Sequence, residues 1–169
     1  MIDQAIVNYA IYEDSREFLG TVDATLPNLN WLTTTISGAG IAGNVDAVMP
    51  HLDAMNLSLS FRTATKESYS LAEHRRHNIE LRASRQDEDP VSGELLQTPV
   101  KHVMVVIPKT MTAGRLAPAS ASDASGEYAV RYWACYIDGE QVLELDPLNY
   151  ILKVNGVDYG APVRRALGK

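Results

Sequence analysis

Residues 128–158 read YAVRYWACYIDGEQVLELDPLNYILKVNGVD and contain three runs rich in β-branched and aromatic residues. Asp138-Gly139 separates the first two runs, and this dipeptide favours the positive φ angles of a two-residue type I′ hairpin turn. Asp146-Pro147 ends the second run, because proline cannot donate a backbone hydrogen bond to a sheet. Asn155-Gly156 ends the third run. The stretch therefore predicts an antiparallel hairpin followed by one further strand.

The length and composition of the chain indicate an ordinary globular protein. Its 169 residues predict one domain over residues 1–169, and 46% hydrophobic residues are enough to build a core. A net charge of −6 argues against general nucleic-acid binding, which needs an excess of Lys and Arg. The single cysteine, Cys135, excludes an intramolecular disulfide and a multi-cysteine metal site. No apolar run reaches the roughly 18 residues of a membrane span, so we expect no membrane insertion.

The clearest alternation lies at residues 55–62, where Met55, Leu57, Leu59 and Phe61 share one face of a predicted half-buried strand. The one predicted helix covers residues 65–76, with Thr65 as its N-cap. Further strands are predicted at 5–12, 17–26, 31–37, 78–84 and 100–108, the last buried on both faces. Long loops are predicted at 38–54, 85–98 and 109–126, and a helical turn at 162–167.

This succession of elements predicts a mainly β fold. Parallel βαβ units would need several helical crossovers, and the pattern contains one helix. We therefore expect an antiparallel β-sandwich or barrel with one packed α-helix and long loops.

The segment GAGIAG at 38–43 matches the G-x-G-x-x-G pattern of dinucleotide-binding sites and follows a predicted strand. Such a site also needs a helix whose N-terminus holds the pyrophosphate, and here the chain runs through Pro50 into another strand. The pattern therefore favours a glycine-rich loop that reaches a neighbour, and no cofactor is predicted.

Other residue types with catalytic or metal-binding chemistry have plainer interpretations. His74 and His77 form an H-x-x-H pair, but Arg75-Arg76 between them disfavour a bound cation, so a solvated helix end is expected. Glu144 and Asp146 share a strand face and could act as paired acids, although such faces are usually solvated surface. We expect Cys135 to be an inert buried thiol. No catalytic, metal or cofactor residue is predicted.

Residues 142–158, VLELDPLNYILKVNGVD, resemble the C-terminal signature of the major tail tube proteins of contractile-tailed phages, the P2 FII-like family, which has relatives in phage-tail-like bacteriocins. The similarity extends to VRRALGK at 163–169, to Leu26-Pro27-Asn28-Leu29 and to the GAGIAG segment. Asn28 departs from the pattern, since relatives often have a basic residue there.

The resemblance implies a structural subunit that forms hexameric rings, stacked into the inner tube of a contractile tail and serving as a conduit for DNA ejection. It implies further copies of the chain, the sheath protein, the baseplate or tube initiator, the tape measure and the terminator as partners, with DNA as a transient cargo. It places the protein in the virion, assembled in the host bacterial cytoplasm. The alternatives are the tube of a type VI secretion-like or other injection machine, and a small β-barrel ligand-binding protein or enzyme.

Two sets of residues follow from this expectation. The residues expected in contacts between subunits are Gly38, Gly40, Ile41, Gly43, Val48, Met49, Asn155, Arg164 and Arg165. The residues expected to face the lumen are Glu88, Asp89, Glu94 and Asp123.

Overall fold

The computed structural model describes residues 1–18 and 21–169, and β-strands dominate it. Residues 19 and 20, inside the predicted strand 17–26, lie outside the described residues. The strands are β1 (Ile2–Glu13), β2 (Arg16–Phe18), β3 (Thr21–Thr25), β4 (Trp31–Ile36), β5 (Val45–Leu52), β6 (Met55–Phe61), β7 (His77–Glu88), β8 (Leu95–Thr112), β9 (Ala124–Ile137), β10 (Glu140–Asp146), β11 (Ile151–Val154) and β12 (Val157–Asp158). The helices are α1 (Lys66–Ser70) and α2 (Ala161–Ala166).

The main sheet is antiparallel and follows the order β12-β11-β10-β9-β8-β7-β1-β2. Its centre is β9, which pairs with β8 along one edge. The other edge of β9 is shared, since residues up to Val130 pair with β6 and residues from Trp133 pair with β10. The register against β8 shifts at this point, where Arg131 is an extra residue, as in a β-bulge. The sheet therefore forks, and β6 carries β3 on its far side.

The core lies between the fork and the strands β1 and β7. Met55, Leu57, Leu59 and Phe61 are all buried, which confirms the predicted face of β6. They join one cluster with residues of β1, β7, β8, β9, β10 and β11, so the branch formed by β3 and β6 covers one face of the main sheet. The mainly β, antiparallel prediction is confirmed, although the sheet does not close into a barrel and the described residues hold two short helices.

The two predicted turns of the opening stretch have the expected backbone. Asp138 and Gly139 have φ angles of 51° and 78°, as a type I′ turn between β9 and β10 requires. Asn155 and Gly156 have φ angles of 49° and 82°, and they join β11 to the short strand β12. The third run therefore ends in a second tight hairpin.

The predicted helix at 65–76 is wrong beyond its first turns. Thr65 caps α1 as predicted, because its side chain accepts from the Ser68 amide at 3.2 Å while Ser68 Oγ accepts from the Thr65 amide at 2.8 Å. The helix ends at Ser70, and the chain turns into β7 at His77. The C-terminal helical turn is confirmed as α2.

The three predicted long loops are shorter than expected. The predicted loop at 85–98 is wrong in its extent, because β7 continues to Glu88 and β8 begins at Leu95. The reason is that β7 and β8 pair as a hairpin up to Glu88 and Leu95, while β1 pairs along the other edge of β7 with Ile2 opposite Glu88. The loops at 38–54 and 109–126 likewise give way to β5 and to the ends of β8 and β9.

The prediction that the strand at 100–108 is buried on both faces is also wrong. Met104 and Val106 are buried, whereas Val103 and Val105 are half-buried on the side of the sheet that β6 does not cover. In the described part of the chain, no helix has the length and apolar character needed to cross a membrane.

Candidate assembly surfaces

The β4–β5 hairpin stands apart from the main sheet as a separate two-stranded sheet. Ile36 pairs with Val45, and two residues further along Thr34 pairs with Ala47, so these side chains share one side of the hairpin. Leu32 falls on the same side by alternation. Leu32, Ile36 and Val45 are 39%, 45% and 57% exposed. We call this side, with Thr34 and Ala47 between the three large residues, the hairpin apolar face.

The base of the hairpin is anchored near β11. The Tyr150 hydroxyl donates to the Pro50 carbonyl at 2.8 Å, and Trp31 and Leu52 pack against the core. The amide of Asp53 donates to the carbonyl of Asn30 at 2.9 Å. The base is thereby fixed to the body while the rest of the hairpin projects.

Six of the residues predicted in subunit contacts lie on this hairpin. Its tip, residues 37–44, is exposed and contains the glycines, and Gly40 has a φ of 83° that favours glycine. Val48 is 62% exposed. The six residues are Gly38, Gly40, Ile41, Gly43, Val48 and Met49.

The other three predicted contact residues lie elsewhere. Asn155 is in the turn between β11 and β12. Arg164 is engaged within its own chain, since its Nη1 donates to the Tyr150 carbonyl and to Asp158 Oδ2, both at 3.0 Å. Arg165 is exposed on α2. The contacts of Arg164 hold α2 against β12 and against Tyr150, the residue whose hydroxyl anchors the base of the hairpin.

The four residues predicted to face the lumen fall at the two ends of β8. Glu88, Asp89 and Glu94 surround the tight turn between β7 and β8, where the Asp89 amide donates to the Glu94 carbonyl at 3.0 Å. The Val91 amide, 2.9 Å from Asp89 Oδ1, holds the pKa of this carboxyl below its usual range. Asp123 precedes β9 at the opposite end of β8.

One broad surface was not anticipated from the sequence. On the side away from β6, the main sheet has a face that no described element covers, and charged side chains on it form ion pairs and cation–π contacts. Arg82 Nε lies 2.7 Å from Glu80 Oε1 and its guanidinium stacks 4.6 Å from the Tyr12 ring centroid. Lys101 Nζ lies 4.9 Å from the Tyr136 ring centroid. The alternation of Asn78, Glu80 and Arg82 with buried Ile79 and Leu81 is the signal that could have revealed this face.

The uncovered face continues onto the turn end of β7 and β8. There Gln97 donates to Gln86 at 3.3 Å, Gln86 donates to Gln4 at 2.7 Å, and Gln4 donates to Glu88 at 2.6 Å. On β9, the Tyr132 hydroxyl donates to Glu144 at 3.3 Å. Burial, followed by the charge of Glu144, raises the pKa of Tyr132 to about 12, so its hydroxyl keeps its proton. The face therefore combines largely paired charges and tyrosines with the half-buried Val103 and Val105.

An apolar groove opens between the main sheet and β3, with a volume of about 160 Å³. Ile6 and Leu26 at the groove are 54% and 37% exposed. The Trp133 indole donates to His102 Nδ1 at 3.1 Å, and burial lowers the pKa of His102, so this histidine is held neutral. The groove is lined by Ile6, Tyr9, Ala24, Leu26, Leu81, Ala83, Val100 and His102.

The residues with catalytic or metal-binding chemistry do not form a site. The expected solvated helix end is wrong for His77, which is fully buried at the start of β7, while His74 is exposed. Glu144 accepts a hydrogen bond from the Tyr132 hydroxyl, and Asp146 accepts one from the Asn149 side chain at 2.7 Å. Among residues 1–18 and 21–169, no three His, Cys, Asp or Glu side chains gather as metal ligands would. Cys135 is buried as predicted, and burial raises its thiol pKa.

The fold occurs in contractile injection systems. A chain of the PVC sheath–tube complex, an extracellular contractile injection system in its extended state, has a TM-score of 0.52 and 10% identity, covering 76% of this chain and 88% of that one. A chain of the PVC sheath/tube terminator has a TM-score of 0.52 and 7% identity, covering 77% and 94%. These low identities establish the shared fold alone.

The sequence itself matches a family model. No curated protein gives a significant match to the chain. The model of phage tail tube protein FII, however, matches residues 3–168. Because this match covers nearly the whole chain, the protein belongs to the phage tail tube protein FII family and is a structural tail tube subunit, not an enzyme.

Proposed function

We propose that the chain acts as one domain that assembles into hexameric rings, which stack into the inner tube of a contractile tail and conduct DNA during ejection. The observation that carries this proposal is the β4–β5 hairpin, which projects from the body with its apolar face exposed. A two-stranded hairpin is marginally stable in water by itself, and an exposed apolar face marks an interaction site. In a tail tube family, another copy of the chain is the natural partner.

An open sheet edge supports contact between neighbours in a ring. β1 pairs with β7 along one edge, but β2 covers only Ile11–Glu13 on the other edge. In the described residues, the backbone of β1 before Ile11 therefore has an edge without a strand beside it. Such an edge is a template for pairing with another chain, and in a ring subunit this liability becomes the assembly mechanism.

The uncovered face of the main sheet supports a conduit role. A wall rich in unpaired Lys and Arg would hold phosphates by releasing counterions, whereas paired charges leave DNA free to slide. Arg82 and Lys101 on this face both lie near Glu80, at 2.7 and 4.0 Å. We propose the uncovered face as the tube wall, with Glu88, Asp89, Glu94 and Asp123 as acidic residues toward the lumen.

The proposed partners extend beyond further copies of the chain. The similar chains from a sheath–tube complex and a sheath/tube terminator support the sheath and the terminator as partners. The baseplate or tube initiator and the tape measure are proposed on the same grounds of assembly, with DNA as a transient cargo. Assembly in the host bacterial cytoplasm and incorporation into the virion complete the proposal.

A matched pair of variants on β4 tests the proposal. Ile36→Lys places a charge on the hairpin apolar face, while Thr35→Lys places the same charge on the opposite face, where Asp46 can pair with it. Electron microscopy of purified wild-type protein should show rings or tubes about 100 Å or less across. We expect Thr35→Lys to retain them and Ile36→Lys to give folded, dispersed subunits. Wild-type protein that stays monomeric at high concentration would refute the proposal.

A tube that carries no DNA, as in a bacteriocin or another contractile injection machine, is the second candidate. The fold shared with the PVC chains favours it. Nuclease-resistant DNA inside purified particles would support the phage tail. The absence of such DNA from intact particles would support the second candidate.

A further inference from the structure

Two uncharged surfaces of the subunit lack a partner within the described chain. One is the hairpin apolar face, whose strands β4 and β5 pack chiefly against each other. The other is the apolar groove between the main sheet and β3, where Ile6 remains 54% exposed. Removing both from water would be favourable by about 25 cal/mol for each Å² of apolar area buried.

The two surfaces are built from different elements of the subunit. The hairpin apolar face lies on β4 and β5, whereas the groove is built on β1, β3, β7 and β8. A contact between two different surfaces of identical copies is head-to-tail, and such a contact can repeat.

The chemistry of the two surfaces also matches. The groove has no lining residue of fixed charge, and its one imidazole, His102, accepts from the Trp133 indole. The Tyr9 hydroxyl, which also lines the groove, has no partner within the described chain. The hairpin apolar face carries aliphatic side chains with Thr34 and Ala47 between them. The groove volume of about 160 Å³ is close to the ~150 Å³ of a cavity that holds a benzene-sized group. The groove is therefore large enough for one branched aliphatic side chain, such as that of Ile36 or Val45.

We propose that the hairpin apolar face of one subunit docks into the apolar groove of the next copy. This inference rests on the proposed tube function and adds the acceptor surface for the hairpin. Ile6 and Leu26 at the mouth of the groove then contact Ile36 and Val45 of the neighbour. The opposite side of the hairpin, with Thr35, Asp46 and the exposed Val48, stays toward solvent.

Cysteine cross-linking in assembled particles tests the contact. In a Cys135→Ser background, Ile6→Cys and Val45→Cys are placed in separate chains, mixed, assembled and treated with a short bismaleimide. We expect a cross-linked dimer from the mixture and none from either variant alone, and the double variant Ile6→Cys/Val45→Cys should give a ladder of oligomers. The matched control replaces Val45→Cys by Thr35→Cys, on the opposite face of the hairpin, and should give no dimer.

The outcomes separate the two proposals. Particles that assemble but cross-link equally through Thr35→Cys, or not at all through Val45→Cys, overturn the docking inference and leave the tube function intact. Wild-type protein that forms no particles overturns both. Hydrogen exchange of the unmodified protein gives a second measurement that needs no cysteine. Amides in β4–β5 and in residues 24–26 should gain protection together on assembly, and protection of the hairpin without residues 24–26 would contradict the inference.

Discussion

His77 Nδ1 lies 2.7 Å from Oε1 of Glu13, and both side chains are buried, at 0% and 5% exposure. The other ring nitrogen, Nε2, lies 2.9 Å from the backbone carbonyl of Glu73. A carboxylate and a carbonyl can only accept, so the imidazole donates to at least one of them. Arg75 Nη2 adds a contact to Glu13 at 3.2 Å. The pair ties the start of β7 to the end of β1.

Removal of this histidine should destabilise the subunit strongly. His77→Gln carries both amide hydrogens on one nitrogen, so it cannot reach the two acceptors that contact the two separate ring nitrogens, and Glu13 stays buried with fewer partners. Loss of one partner of a buried pair typically costs about 3–5 kcal/mol. Urea denaturation of dissociated subunits would measure the change. His74→Gln, at the exposed histidine three residues earlier, should stay within about 0.5 kcal/mol of wild type. Equal stabilities for the two variants would show that the pair contributes nothing.

His102 should make the subunit less stable at mildly acidic pH. Burial lowers its pKa in the folded state below the ~6.5 of an unfolded chain. Between the two pKa values the unfolded chain binds more protons, so acid favours unfolding there. This contribution is complete above about pH 6.5 and is lost as the pH falls through the lowered folded-state pKa.

The variant His102→Gln isolates this effect, because its amide oxygen can still accept from the Trp133 indole. We expect the urea midpoint of wild type to fall between pH 7.5 and 5 by more than that of His102→Gln. His51→Gln, at an exposed histidine, is the control and should keep the wild-type pH dependence. A pH dependence of His102→Gln as steep as that of wild type would assign the acid sensitivity to other groups.

Gly126 is required by the packing of Tyr128. A Cβ at residue 126 would lie 2.5 Å from the Tyr128 hydroxyl oxygen. That hydroxyl is buried and has no hydrogen-bond partner in the part of the chain that the structure describes, and burial, followed by the charge of Glu13, raises its pKa to about 12. Overpacking of this kind costs typically about 1–3 kcal/mol, so Gly126→Ala should lower stability by that amount.

A double-mutant cycle checks the cause. Tyr128→Phe alone should be neutral or stabilising, since it removes an unpartnered polar group. Gly126→Ala should cost less in the Tyr128→Phe background than in wild type, giving a measurable coupling energy. Gly38→Ala, where no atom lies within 4 Å of the new methyl group, is the control and should be nearly silent. Additive effects of the two substitutions would contradict the steric explanation.

Leu57 and Asn56 should respond oppositely to a new carboxylate. Leu57 has 0% exposure and lies opposite Tyr128, whereas Asn56 is exposed on the same strand. Leu57→Asp buries a charge without a partner and should unfold the subunit, a loss beyond about 4–5 kcal/mol. Asn56→Asp should keep the wild-type circular dichroism spectrum and melting temperature within a few degrees. Soluble, folded Leu57→Asp would contradict the assigned face of β6.

The hairpin should become resistant to proteolysis on assembly. Residues 38–54 include its exposed tip, which has few local partners in the subunit. Limited proteolysis should cleave this segment in dispersed subunits and spare it in assembled particles, with mass spectrometry identifying the cuts. Equal cleavage in both states would show that the hairpin does not lie in an interface.

The sequence predicted those local structures that depend only on neighbouring residues. The alternation from Met55 to Phe61 predicted the buried face of β6, because side chains in a strand alternate between its faces. Asp138-Gly139 predicted its turn, because few dipeptides adopt two positive φ angles in succession. The Thr65 cap was predicted for a similar reason, since the interaction spans only three residues.

Pairings between distant residues decided what the local signals could not. Residues 85–88 have a polar composition typical of a loop, yet they pair with β8 on one side and with the distant strand β1 on the other. The predicted helix at 65–76 ends at Ser70, and His77 lies in the core beside Glu13, a partner 64 residues away. Neither contact leaves a trace in the residues beside it.

The family and the antiparallel β class were thus determined by the sequence by itself, through the motif at 142–158 and the strand patterns around it. The surfaces by which subunits could meet were decided only by the tertiary structure. The GAGIAG segment indicated a loop that reaches a neighbour, but the pairing of Ile36 with Val45 made it the tip of an apolar hairpin. The groove is formed because β3, paired with β6, lies opposite the part of the main sheet that contains Ile6. The physical reason is that the exposure of a side chain depends on every element packed around it.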